Sequence, residues 1–141
     1  MLRSSITTRG TSKSVELHQV AQRANDLDRA IAFYSDVLGC EFITKIDPPG
    51  LAFLCLGSVR LLLDKAAPSA LIYLRVDDVR TTAENLRAAG VPVESEPHVI
   101  NTDTDGIFGE AGFQEWMAFL RDSEGNLVGL ASRHAPAEPH R

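Results

Sequence analysis

Two capped helices with nearly the same spacing constrain this chain more than any other feature of its sequence. Asp26 is placed to cap a helix over 27–38 whose apolar residues recur at three- and four-residue steps, and Gly39 is placed to close it. Asp78 and Gly90 take the same places around a helix over 79–89. Asp78 follows Asp26 by 52 residues, and Gly90 follows Gly39 by 51. This near-constant offset indicates an internal structural repeat.

The segments around the two helices are alternating or continuously apolar, which is typical of β-strands. The turn chemistry at 57–58 and at 122–126 predicts two hairpins. Each half of the chain is therefore predicted to run strand–helix–strand–strand–strand. The predicted strands cover residues 17–23, 41–43, 51–56, 59–64, 71–76, 93–97, 115–121 and 127–132.

A chain of 141 residues has the size of one domain, or of two half-domains that share a core. We expect an N-terminal tail at 1–14, a single domain at 15–132 and a C-terminal tail at 133–141. The domain would consist of modules at about 15–65 and 70–132. A long connection, 98–113, is predicted inside the second module.

Charge and composition argue against several classes of protein. The formal net charge is −5 and the arginines are dispersed, so we expect no nucleic-acid partner. No run of 18 apolar residues occurs, so we expect no membrane span, and residues 1–14 lack the apolar core of a secretory signal. Cys40 and Cys55 lack the spacing of a metal or redox motif. They are expected to be core thiols in a reducing compartment, which predicts a cytoplasmic protein.

Three motifs resemble the vicinal-oxygen-chelate superfamily of glyoxalases, bleomycin-resistance proteins, methylmalonyl-CoA epimerases and extradiol dioxygenases. They are NDLDRA at 25–30 with FYSDVLG at 33–39, VDDV at 76–79, and FLRDSEGNL at 119–127. The resemblance implies an α+β fold in which two βαβββ modules form a curved mixed sheet, or cup, usually in a homodimer. It does not imply one activity, because the superfamily hosts unrelated chemistries.

The resemblance also implies where the metal ligands of the metal-dependent members would lie. In this chain the four places are Gln19, a position near Leu62, Leu71 and Gly129. Gln19 alone carries a donor atom, although Asp64 is expected on the same face as Leu62. A tight divalent site needs several converging oxygen or nitrogen ligands. We therefore expect no complete metal site and no cofactor; the alternative is a divalent metal such as Zn, Ni, Fe or Mn.

Strand alternation predicts which other side chains share the cup with Gln19. Arg23 should face the cup with it, and His18 should face the helix. By the same count Tyr73 and Arg75 face the cup, and the repeat would place Arg23 opposite Arg75. The two arginines either pair with acids at the rim or recognise a ligand carboxylate or phosphate.

Three further residues are ambiguous from the sequence. Tyr73 fits either the core or a pocket. Trp116 is interpreted as a pocket wall or a dimer contact, and His98 as a rim residue or a general base near the mouth of the cup. No catalytic residue is assigned. The predicted ligand-binding residues are Gln19, Arg23, Tyr73, Arg75, His98 and Trp116.

Three classes of function remain open from the sequence. The first is a binding protein that holds a small, partly apolar and in some cases anionic molecule in the cup without a complete metal site. The second is a metal-dependent lyase, isomerase or dioxygenase of glyoxalase type. The third is a structural or regulatory dimer. The missing donors at Leu71 and Gly129 favour the first class.

Overall fold

The computed structural model describes residues 16–136, and the predicted order of elements occurs in them twice. The first module consists of β1 (Gln19–Arg23), α1 (Leu27–Ala32), β2 (Glu41–Ile46), β3 (Leu51–Leu56) and β4 (Val59–Asp64). The second consists of β5 (Ile72–Arg75), α2 (Val79–Ala88), β6 (Val93–Asp103), β7 (Phe113–Arg121) and β8 (Leu127–His134). The prediction of an α+β fold with two βαβββ modules is confirmed.

The ends of the expected domain are only partly covered. The predicted tail at 1–14 and the last five residues of the predicted tail at 133–141 lie outside the described residues. The last strand, β8, extends to His134 and so passes residue 132, where we expected the domain to end.

Each module forms its own four-stranded mixed sheet. The strand orders are β1-β4-β3-β2 and β5-β8-β7-β6, with β1 parallel to β4, β5 parallel to β8, and the other neighbours antiparallel. Within residues 16–136 no strand ladder joins the two sheets. They approach each other where Ala70 N donates to Ala21 O at 3.1 Å and Arg23 N donates to Ser69 Oγ at 2.9 Å.

The two helices begin and end where the sequence predicts. Asp26 accepts a hydrogen bond from Arg29 N, and Asp78 accepts one from Arg80 N. A π-helical turn, Phe33–Val37, continues α1, and Gly39 follows it at a φ of +82°, a backbone conformation that favours glycine. No helix within residues 16–136 is long and apolar enough to cross a membrane.

The face of each sheet that is turned toward its helix forms the core. Leu61 and Leu63 of β4 and Leu54 of β3 are fully buried in the first module, and Val128 and Leu130 of β8 are buried in the second. All of them belong to one hydrophobic cluster that spans both modules. We call the opposite face of each sheet, turned away from its helix, the cup face.

The segment at 98–113 differs from the prediction of a long connection. Its first part, 98–103, is strand, because β6 extends through Asp103 and pairs with β7. The β-branched residues Val99 and Ile100 favour this conformation. The remaining loop is tight: the buried Asp103 carboxylate accepts hydrogen bonds from the backbone N–H groups of Ile107 and Phe108 at 2.8 and 2.9 Å.

The turn between β7 and β8 connects the second module to the first. The buried carboxylate of Asp122 accepts a hydrogen bond from the Tyr34 hydroxyl at 2.6 Å. Tyr34 is fully buried, and its hydroxyl accepts a bond from Gln22 Nε2 at 3.3 Å. Asn126 Nδ2 donates to the carbonyl of Arg23 at 2.8 Å. The bonds of Asp122 and Asn126 join residues that lie 88 and 103 positions apart in the chain.

Glu124 adds a charged contact to the same turn. Its side chain is 1% exposed, and its Oε2 lies 2.7 Å from Arg29 Nε. Its Oε1 also accepts a hydrogen bond from the backbone N–H of Asp26, the N-cap residue of α1. The hydrogen bond from Arg29 is the largest cause of a pKa lowered from 4.5 to about 2 for Glu124, and it outweighs the opposing effect of burial.

This contact predicts a pH-dependent stability difference between the wild type and Glu124→Gln. The carboxylate stabilises the fold fully above its unfolded pKa of about 4.5, and that stabilisation is lost as the pH falls toward the folded pKa of about 2. We expect the variant to be less stable by about 1–3 kcal/mol at pH 7, the scale for a hydrogen bond to a charged group. Urea unfolding between pH 7 and pH 2.5 measures the difference. A deficit that does not shrink below pH 4.5 would contradict this assignment.

Candidate functional site

The cup face of the first module carries Gln19, Ala21 and Arg23. The direction of these side chains follows from that of Gln22, which lies between Ala21 and Arg23 in sequence. The Gln22 side chain is buried on the helix side, where it contacts Tyr34. Because side chains alternate along a strand, its neighbours point the opposite way.

Arg60 is a residue of this face that the sequence analysis missed. The parallel register pairs Gln19 with Arg60, and Arg60 Nε donates to Gln19 Oε1 at 2.8 Å. The guanidinium carbon lies 5.2 Å from the centre of the Phe53 ring. Alternation within β4 could have placed Arg60 on the same face as Leu62, but the partner strand and its register are not readable from the sequence.

His18 does not turn toward the helix as predicted. It is exposed, and its Nε2 lies 3.2 Å from Arg60 Nη2, so it contacts the same guanidinium as Gln19. The reason is that β1 begins at Gln19. His18 lies outside the strand, and strand alternation does not fix its direction.

Arg23 and Arg75 are not brought together. Arg23 lies beside Ser69, where the second module begins, and the contacts of Ala21 and Arg23 with Ala70 and Ser69 show that the two chain segments run antiparallel there. Arg75 lies five residues beyond Ala70, or about 16 Å along an extended chain that leads away from Arg23. The expectation that the repeat places these arginines opposite each other is therefore wrong.

The cup face of the second module carries an aromatic pair above a glycine. Tyr73 and Phe119 are the register partners of Gly129 on its two sides, and their rings meet edge to face at 5.8 Å. A Cβ atom on Gly129 would lie 2.6 Å from Tyr73 Cδ2 and 3.0 Å from Phe119 Cε2. The two rings therefore occupy the space that a side chain at residue 129 would need. Tyr73 is still 52% exposed.

A cleft of about 1080 Å³ lies between the two modules. Its walls come from the end of the π-helical turn and the β3–β4 hairpin on one side, and from β5 and α2 on the other. Most of its lining side chains are apolar. Of the predicted ligand-binding residues, Tyr73 and Arg75 line this cleft, whereas Gln19, Arg23, His98 and Trp116 do not.

Cys40 and Cys55 also line the cleft. Both are free, half-buried thiols. Burial raises the pKa of Cys40, and the neighbouring Cys55 raises it further. The Cys40 thiol is therefore kept neutral and adds an apolar surface to the cleft instead of a nucleophile.

His98 lies on the cup face, at the outer edge of its sheet. The register Arg75–Ala131–Met117–His98 places it in the same row as Arg75, three strands away. It is exposed, and its Nδ1 lies 2.7 Å from the carbonyl oxygen of Glu96. This placement separates His98 from the cleft.

Trp116 lies on the helix face, which corrects the prediction that it lines the cup. It alternates in phase with the buried residues Ala118 and Leu120 of β7 and packs against the core. The Arg80 guanidinium of α2 lies 4.7 Å from its ring centre, and the His134 ring lies 6.4 Å away. The sequence does not show which side chains of β7 face the helix, because apolar residues occur at both odd and even positions of this strand.

The four places implied for a metal ion do not fit one. Gln19 is engaged by Arg60, Leu62 and Leu71 have no donor atom, and the space at Gly129 is filled by aromatic rings. Asp64 stands in register with Arg23 instead of Gln19. Within residues 16–136, no group of three or more His, Cys, Asp or Glu side chains is arranged to hold a metal ion.

The comparison with protein families identifies the fold. A family model described as the Glyoxalase/Bleomycin resistance protein/Dioxygenase superfamily matches residues 16–130. The chain belongs to this superfamily. The match covers both βαβββ modules almost completely. No curated protein matches the chain significantly.

Solved structures of other superfamily members are similar to this one. A lactoylglutathione lyase from Agrobacterium tumefaciens is 26% identical, with 86% of this chain and 96% of that chain covered and a TM-score of 0.66. The trypanothione-dependent glyoxalase I of Leishmania major is 27% identical, with 84% and 87% covered and a TM-score of 0.59. A glyoxalase/bleomycin resistance protein/dioxygenase from Alicyclobacillus acidocaldarius is 18% identical, with 83% and 90% covered and a TM-score of 0.59, which shows the fold alone.

The aromatic pair makes Gly129 sensitive to substitution. We expect Gly129→Ala to lower the free energy of unfolding by about 1–3 kcal/mol, because the added methyl group overlaps the Tyr73 ring. In a Tyr73→Ala background the same substitution should cost less, since the closer of the two rings is gone. A double-mutant cycle by urea denaturation measures this coupling. Equal costs in the two backgrounds would show that Tyr73 does not lie over Gly129.

Proposed function

We propose that this superfamily member binds a small, partly apolar, anionic molecule in the cleft between its modules, without a complete metal site. The observation that carries this proposal is the placement of Tyr73 and Phe119 over Gly129, where a metal-binding carboxylate would otherwise stand. The exposed Tyr73 ring lines the cleft and offers contacts to an apolar or aromatic ligand, and neither ring offers a donor atom to a cation's inner coordination sphere.

The size and lining of the cleft support a ligand with an apolar body. A volume of about 1080 Å³ slightly exceeds the usual range of roughly 300–1,000 Å³ for small-molecule sites, so the cleft has room for such a ligand. Burying apolar surface there would contribute roughly 25 cal/mol per Å². A half-exposed Tyr73 at its wall would lose its contact with water when such a ligand binds.

Arg75 supports the assignment of a negative charge to the ligand. It lines the cleft, and within residues 16–136 its guanidinium forms no ion pair. A guanidinium binds carboxylate and phosphate groups through two parallel hydrogen bonds. In this proposal Tyr73 contacts the body of the ligand and Arg75 its charge, whereas Arg23 and His98 are rim residues and Trp116 supports the sheet from the helix side.

The proposal predicts that Arg75→Leu weakens ligand binding by about 1–3 kcal/mol, the scale for losing a hydrogen bond to a charged group. A thermal-shift screen of aromatic carboxylates and organophosphates on chelator-treated protein would find a ligand, and calorimetry would measure its affinity. Arg87→Leu is the matched control, because Arg87 lies on α2 and pairs with Glu96 outside the cleft. Equal affinities for the Arg75 and Arg87 variants would refute the role of Arg75.

A metal-dependent lyase, isomerase or dioxygenase of glyoxalase type is the second candidate function. The similarity to a lactoylglutathione lyase and to a glyoxalase I favours it. Elemental analysis of the purified protein distinguishes the two candidates. Near-stoichiometric Zn, Ni, Fe or Mn, with an activity that is lost on chelation, would favour the metal-dependent enzyme over the binding protein.

We also propose that the protein is a cytoplasmic homodimer. The free thiols of Cys40 and Cys55 support a reducing compartment. The dimer is supported by apolar side chains that are exposed on the two outer edge strands, Phe42, Ile43 and Ile46 on β2 and Val99 and Ile100 on β6. An edge strand of this kind can pair with a second chain.

The dimer predicts a molecular mass of about twice 15.3 kDa by light scattering at high micromolar concentration. A lysine on the edge strand that forms the contact should produce a monomer, because a buried unpaired charge is costly. Ile43→Lys tests β2 and Ile100→Lys tests β6, and each serves as the control for the other. A wild-type monomer at that concentration would refute the dimer.

A further inference from the structure

The guanidinium of Arg60 is held on the cup face by groups that carry no negative charge. Gln19 Oε1 accepts from its Nε at 2.8 Å, and His18 Nε2 lies 3.2 Å from its Nη2. The Phe53 ring lies beneath it at 5.2 Å. Two contacts along one edge and the ring below fix the plane of the guanidinium, and none of them brings a carboxylate to it.

No carboxylate within residues 16–136 forms an ion pair with Arg60. Glu41 is the acidic residue in line with Arg60 across the sheet, because Cys55 is the register partner of both. The backbones of Glu41 and Arg60 are therefore two strand spacings apart, or roughly 10 Å. Arg60 differs in this respect from five other arginines that pair with a carboxylate: Arg29, Arg80, Arg87, Arg121 and Arg133.

One edge of the guanidinium remains open after these contacts are made. Gln19 and His18 occupy the Nε–Nη2 edge, and within the described chain Arg60 Nη1 has no hydrogen-bond partner. The N–H groups of Nη1 and Nη2 on the adjoining edge point the same way and are suited to an oxyanion with two acceptor oxygens. We infer that Arg60, oriented by Gln19, forms an anion-binding site for a carboxylate or phosphate group.

The site lies at the rim of the cleft. Cys55, the register partner of Arg60, lines the cleft, and so does Leu17, which precedes His18 in the chain. An anionic group at Arg60 can therefore belong to a molecule whose apolar body lies in the cleft. That part of the inference rests on the proposed function, whereas binding of a free anion at Arg60 does not.

Titration of the full chain with inorganic phosphate and with acetate tests the site, observed through the Nε–Hε signals of the arginines in ¹⁵N NMR spectra. We expect the Arg60 signal to shift with a saturable dependence on the anion. Arg60→Met, which keeps much of the apolar stem, should weaken binding about 10- to 100-fold, the range for losing hydrogen bonds to a charged group. Arg87→Met, which removes the same charge from α2, should change the affinity less than about twofold.

Gln19→Glu separates anion binding from a structural role of Arg60. The new carboxylate still accepts the hydrogen bond from Arg60 Nε, so the fold is retained, but it neutralises the guanidinium and should weaken binding about as much as Arg60→Met. Thermal melting confirms that each variant is folded. Phosphate affinity that is unchanged in either folded variant, or absence of saturable binding of both anions to the wild type, would overturn the site.

The same variants distinguish this inference from the proposed function. Phosphate could bind at Arg60 while no aromatic carboxylate or organophosphate stabilises the protein. That result would support the anion-binding site and contradict the proposed binding of a partly apolar ligand in the cleft. If a screened ligand binds the wild type and Arg60→Met equally well, binding in the cleft is supported and the contact between Arg60 and that ligand is refuted.

Discussion

The buried carboxylates of the β7–β8 turn are the contact on which the relative position of the two modules depends. Asp122 and Glu124 reach from the second module to Tyr34 and Arg29 of the first. A buried charge is stable only when its hydrogen bonds are satisfied, so these carboxylates tolerate few arrangements of their partners. Because no strand ladder joins the two sheets within residues 16–136, this turn and the shared core fix the walls of the cleft.

The cup faces combine the shape of this superfamily with an unusual set of side chains. Where converging oxygen or nitrogen donors would be needed for a metal ion, leucines and an aromatic pair over Gly129 are present. Gln19 retains a donor, but its oxygen is directed to Arg60. The result is a surface with apolar area and unneutralised guanidinium groups, which favours organic anions over metal cations.

Local features were predicted well because they depend on neighbours in sequence. The caps at Asp26 and Asp78, the glycines that follow both helices and the β3–β4 hairpin were placed within one or two residues. The length of β6 was underestimated, because its pairing with β7 and the anchoring of its end by Asp103 are interactions that a single strand pattern does not reveal. Trp116 was assigned to the wrong face, because both parities of β7 are apolar.

The sequence by itself determined the repeat, the order of the elements and the alternation of side chains within most strands, since helix caps and period-two patterns act over a few residues. The tertiary structure decided which residues meet. It set Arg60 beside Gln19, the Tyr73 ring over Gly129, and Arg23 at the far end of β1 from Arg75. These outcomes follow from strand register and from the approach of the two modules, which depend on packing between residues far apart in the chain.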